Sequence, residues 1–327
     1  MREFLSHSAV ILGSGLILLF FSEFLFVNET LAPTLLHSSS FSLIPIVKIA
    51  ELIIWYSLFA CWFLIPAYLF NVQNKNGIIL TAAIYGWIVE GLTIPYLYME
   101  MPFSIVWTSM SWHLVIDIIL GWWAVRWILQ KNNYLFTIAL AIGIGLFWGI
   151  WATWNNGNNT EPLNPHDFFL ISSLGTTLWI AGNITLDKLV KFRFQPTKPW
   201  ILGLLIGSTL IFVATTWALT PLQLILPALI MITAYTLKQG NKKDPPAAGS
   251  TNIIWEMSSP QKTIFWRNHL ILLLTPIAAN LTYPIYASNN TALEPWIIAT
   301  PLIILGVGIY TLATIKNYTI AIKTKPL

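Results

Sequence analysis

The sequence predicts an all-helical, polytopic integral membrane protein with about ten transmembrane helices and both termini on the cytoplasmic side. Three observations carry that prediction. Apolar residues make up 56% of the 327, charged residues only 9%, and the mean hydropathy is +0.69, whereas an ordinary soluble domain is roughly 25% charged. Long apolar segments recur along the whole chain, and since a spanning helix needs roughly 20 such residues, there is room for about ten. Lys and Arg crowd into every second connection, as cytoplasmic loops do.

The first apolar segment, 9–27, follows Met1-Arg2 and has the outline of a secretory leader. It is too long for one, contains Glu23 and lacks a small-x-small cleavage site before Asn28, so it reads as a retained first helix. Further segments fall at 44–70, 77–97, 104–128, 134–154, 168–188, 200–217, 219–237, 269–287 and 295–315. Only Ala218 to Pro221 divides the seventh from the eighth, and a single long, broken helix is the alternative there. Residues 1–237 thus read as an eight-span bundle. Residues 238–268, with "KQGNKKDPPAAGS", read as a basic, proline-containing cytoplasmic linker, and 269–327 as the final two spans with a short tail.

With ten spans, one set of connections carries Arg2, Lys75, Arg126, Lys131, Lys188, Lys191, Arg193 and Lys198. The same set continues through Lys238, Lys242, Lys243, Lys262 and Arg267 to Lys316, Lys323 and Lys325. The opposite set has only Lys48. Merging the seventh and eighth spans would put the last basic loops on the wrong side, so the charge pattern supports ten. It also accounts for the formal charge of +4 without any nucleic-acid partner. Trp107, Trp154, Trp217 and Trp296 fall at outer ends and Trp122, Trp123, Trp127 and Trp200 at inner ends, as interfacial belts do. Trp55, Trp62, Trp87 and Trp179 lie deeper, as packing residues. Gly145 with Gly149 and Gly203 with Gly207 are spaced to admit a neighbouring helix. The one cysteine, Cys61, excludes an intrachain disulfide and a thiolate cluster.

An ionisable side chain at mid-bilayer costs about 2.5 kcal/mol or more, so each needs a partner or a purpose. Four stand out: Glu51, Glu90, His113 and Asp117. His113 and Asp117 share one face of the fourth span at i, i+4. At about 1.5 Å per residue, Glu51, Glu90 and His113 come to about one depth below the outer surface, with Asp117 a turn deeper. A polar cluster opening outward between spans two, three and four is therefore expected. Within it the groups can also satisfy one another, Glu51 with Lys48 and His113 with Asp117 or Ser109. The outer loop "WNNGNNTEPLNPHDFF" adds Glu161, His166 and Asp167 as candidates for contact with a polar ligand.

Three functional readings follow. One is a small-molecule or proton-linked permease or binding protein of the cytoplasmic membrane, working through the four intramembrane residues. Another is an intramembrane enzyme acting on a lipid or isoprenoid, by metal-dependent hydrolysis or through Ser109, His113 and Asp117 as a nucleophilic triad. The third is a structural or assembly subunit of a membrane complex. No cofactor is predicted: the residues that would suit zinc, His113, His166 and Asp117 with His37, Asp167 and Glu90, include no HxxxH pair on any helix. The lipid bilayer is the expected partner, with a small molecule or lipid as ligand. Paired aspartates of a prenyltransferase, the Gly-x-Ser of a rhomboid-like protease and a P-loop are absent from the sequence.

Overall fold

A computed structural model describes residues 2–26, 44–154, 163–219, 221–241, 252–258, 264–288 and 294–323. Ten helices are long and apolar enough to cross a membrane. They are α1 (Arg2–Phe24), α2 (Pro45–Leu69), α3 (Lys75–Thr93), α4 (Phe103–Gln130) and α5 (Tyr134–Trp151), then α6 (Pro165–Lys188), α7 (Lys198–Leu219), α8 (Leu222–Gly240), α9 (Trp266–Ser288) and α10 (Trp296–Tyr318). No strand occurs among the described residues. The seventh and eighth segments are two helices.

Local sequence explains several helix starts. Asn74, Asn133 and Asn164 each sit in extended backbone and accept a hydrogen bond from the amide three residues on, at 2.9, 3.2 and 2.9 Å. Each cap satisfies one of the amides that a helix start leaves unpaired. Pro165 follows Asn164 at the first helical position, where its missing N–H costs nothing.

Helix α1 packs against α2, α4 and α6, which places the first helix inside the bundle. Its Phe20 stacks on Trp179 of α6, ring centroids 4.7 Å apart. Elsewhere glycine sets how closely helices approach. A Cβ on Gly86 of α3 would overlap the Ser109 carbonyl oxygen of α4, and one on Gly306 of α10 would overlap that of Met110. Gly145 and Gly149 of α5 lie against the Thr275 and Ala279 carbonyls of α9 in the same way.

The other small-residue pair behaves differently. A Cβ on Gly203 or Gly207 would meet nothing within 4 Å, and only 11% of the apolar window of α7 is buried, against 78% for α3. Two glycines four apart make a smooth surface, but they do not specify what covers it. Trp122 also departs from expectation: it is fully buried and donates from its indole to Ser14 Oγ at 2.9 Å, so it is a packing residue and not part of an interfacial belt.

Arg126 is the largest departure. It was expected in a basic connection but is fully buried, with Nη2 on Asp187 Oδ1 at 2.5 Å and Nη1 on the Asn183 carbonyl at 3.3 Å. His269 of α9 approaches the other Asp187 oxygen at 2.9 Å. Arg126 also donates twice to the Met257 carbonyl, at 2.9 and 2.7 Å. Met257 belongs to the short helix Ile253–Ser258 inside the 238–268 stretch. That helix is fastened further by Ile253 N on the Val72 carbonyl and the Asn252 side chain on the Ala67 carbonyl, both 2.8 Å, and by Gln130 on the Glu256 carbonyl at 2.9 Å. It therefore lies over the ends of α2 and α4 at the Lys-rich end of the bundle.

Candidate functional site

At the opposite end, three segments depart from ordinary α-helix and carry Ser22, Glu23, Glu90, His113 and Asp117. Phe20–Phe24 in α1, Val89–Thr93 in α3 and Ser109–Ala124 in α4 are wound with i→i+5 hydrogen bonds. The amide of His113, for example, reaches the Thr108 carbonyl at 2.7 Å. Such π-helical turns are rare and gather at functional sites. Thr108 opens the longest of them at φ +50°, a conformation that a β-branched residue enters at a cost of about 1–3 kcal/mol.

The winding brings Ser22, Glu90, His113 and Asp117 together. His113 Nε2 lies 2.8 Å from Glu90 Oε1, and Nδ1 lies 2.7 Å from Asp117 Oδ2. Ser22 donates to the same Asp117 oxygen and lies 3.2 Å from Nδ1, while the Tyr85 hydroxyl donates to Oδ2 at 3.2 Å. Asp117 has no exposure at all, and its Oδ1 takes no hydrogen bond from the described residues. Next to this set, Tyr56 of α2 donates to Glu23 Oε1 at 2.7 Å.

A proton inventory fixes the charge of the line. Each N···O contact between imidazole and carboxylate needs one proton, so two protons lie among Glu90, His113 and Asp117. Imidazolium between two carboxylates and neutral imidazole beside one carboxylic acid are the two ways of placing them. Both give a net charge of −1, and they interconvert by a shift along existing hydrogen bonds.

Glu90 and His113 border a cavity of about 410 Å³. Ser22, Glu23 and Phe26 from the end of α1 and Tyr56 from α2 form one side of it. Ile94, Tyr96 and Glu100 from the connection between α3 and α4, with Phe103, Trp107 and Thr108 from the start of α4, form another. Trp112, Trp154, Trp296 and Ala299 complete the wall, so α10 contributes to a site expected from the first half of the chain alone. Among the described residues, no Lys or Arg lines the cavity. Burial, followed by the carboxylates of Glu100 and Glu90, raises the Tyr96 phenol above its ordinary pKa.

The rings are braced against one another. Trp112 meets Phe26 edge-on at 4.6 Å and stacks on Trp151 at 5.0 Å, and Trp151 stacks on Trp154 at 5.3 Å. Across the cavity Phe103 lies 5.4 Å from Trp296 and 6.3 Å from Trp107.

Of the residues singled out in the sequence, Glu90, His113 and Asp117 meet here. Glu51 does not: its carboxylate is exposed and paired with Lys48 at 2.8 Å. Ser109 bonds back toward the Ser104 carbonyl at 3.4 Å, so the serine, histidine and aspartate on α4 do not form a nucleophilic triad. His166 is exposed, 3.5 Å from Asp167, and Asp167 is held by the Asn164 cap of α6; neither lines the cavity. Glu161 and His37 lie outside the described residues. Among the described residues, no three His, Cys, Asp or Glu are grouped to hold a metal ion. Sequence reasoning missed Ser22, Tyr56 and Tyr85, which carry no charge to mark them. It had noticed Glu23 only as an obstacle to a cleavable leader.

No family model, curated protein or solved structure matches the chain.

Proposed function

We propose that this protein is a proton-linked permease or binding protein for a small molecule, set in the cytoplasmic membrane with both termini inside and the cavity facing out. The observation that carries the proposal is the unbroken hydrogen-bonded line from the cavity wall, Glu90 to His113, to the fully buried Asp117. An intramembrane ionisable group is costly, and a line of them leading away from a cavity is suited to moving a proton. A proton passed from Glu90 to the imidazole at Nε2 displaces the Nδ1 proton to Asp117 Oδ2, both along existing hydrogen bonds. Bound ligand at Glu90 changes the cost of that transfer, and this is the coupling.

Closure at the other end fits the same reading. The Ile253–Ser258 helix, clasped by Arg126, covers the basic end while the cavity is open at its opposite, an arrangement suited to alternating access. The orientation rests on the Lys and Arg distribution.

The test is purified protein in liposomes loaded with a pH-sensitive dye and exposed in turn to pools of cationic, neutral and anionic small solutes. At least one pool is expected to drive a change in internal pH that empty liposomes do not show. No response to any pool overturns the proposal.

A further inference from the structure

The cavity brings two kinds of surface into one space. Trp107, Trp112, Trp154 and Trp296 are among its lining residues, and Glu90 and Glu100 line it with them. Aromatic faces are electron-rich and attract a cation lying over them, most strongly when it is poorly hydrated. Carboxylates attract the same charge at longer range. From these residues together we infer that the cavity binds an organic ammonium ion, held by the rings around its carbon substituents and by the carboxylates through its charge.

Each alternative class fits the walls less well. An anion would enter a space without Lys or Arg among its lining residues, beside a proton-sharing line that is already negative. A neutral solute would gain nothing from the charge of Glu90 and Glu100. A bare inorganic ion does not fill about 410 Å³, a volume in the range of small organic ligands. The rings also make contact with one another in two groups, Phe26 with Trp112 and Trp154, and Phe103 with Trp107 and Trp296. Walls braced in this way need little ordering when a ligand arrives, which favours affinity.

This inference rests on the cavity being a ligand site, as the permease reading also requires, but it can fail separately. Isothermal titration of the full-length protein in detergent with choline, and with the uncharged alcohol in which carbon replaces its quaternary nitrogen, isolates the charge from the shape. Choline is expected to bind at least about ten-fold more tightly than the neutral analogue. Trp296→Leu and Glu100→Gln, at exposed rim positions where folding is not at stake, are each expected to weaken choline severalfold and leave the analogue unchanged. Equal binding of the two compounds, or binding of neither, overturns the inference. If choline fails but a neutral or anionic pool moves protons in liposomes, the permease reading stands without the ammonium ligand. If choline binds but no pool moves protons, the ammonium site stands and the permease reading falls.

Discussion

His113 is held from both sides by carboxylates, and the consequences of removing it are specific. In His113→Gln the buried Asp117 loses its imidazole partner, and breaking a buried pair in this way costs about 3–5 kcal/mol. Adding Asp117→Asn removes the stranded charge, so the double variant should unfold at a higher temperature than His113→Gln alone. Thermal unfolding in detergent checks this, and a double variant less stable than the single one would contradict the pairing. Charge made Glu90, His113 and Asp117 legible in the sequence, and loop length made their common depth legible. Direction around the helix was not legible. Tyr56 lies five residues after Glu51 on α2, about 140° further around an ordinary α-helix, so when Tyr56 turns to Glu23 the Glu51 side chain points elsewhere and finds Lys48.

At the scale of elements, apolar run length placed nine of the ten helices within about four residues of where they lie and started the first one seven residues late, because bilayer thickness leaves helix length little freedom. The π-helical winding of α4 was invisible, since extra hydrogen-bond spacing leaves no mark on hydropathy. Glycine spacing was an incomplete guide for a related reason: it shows that close approach is sterically allowed, not that a partner is there. Gly86→Ala should therefore destabilise the protein by about 1–3 kcal/mol, as overpacking does, because its Cβ meets backbone at Ser109. Gly203→Ala, with open space around it, should cost nothing and can gain up to about 1 kcal/mol from helix propensity. Side-by-side melting curves decide the matter, and equal losses at both positions would contradict the helix contacts described.

Across the whole molecule two ionic clusters sit at opposite ends, one bordering a cavity and one closed over by a short helix. The Arg126 cluster escaped the sequence reading because a basic residue near a span end looks like part of a loop, and only the fold shows Asp187 and His269 arriving from α6 and α9. Arg126→Met should cost about 3–5 kcal/mol by stranding Asp187, and Arg126→Met/Asp187→Leu should recover much of it. A double variant as unstable as Arg126→Met alone would show that the clasp works through the Met257 carbonyl and not through the charge pair. Ten crossings would put both termini on one side, and the Lys and Arg distribution predicts that side to be cytoplasmic, so reporter fusions at each end should both read as cytoplasmic.

In the proposed function, the line from Glu90 through His113 to Asp117 moves a proton when the cavity is used. Its most direct test is proton movement into dye-loaded liposomes, driven by a solute that the parent protein responds to, for the parent and for Asp117→Asn. Asp117→Asn should still bind that solute within a few-fold of the parent, because Asp117 does not line the cavity, yet move no proton with it. Proton movement by Asp117→Asn at the parental rate would contradict it.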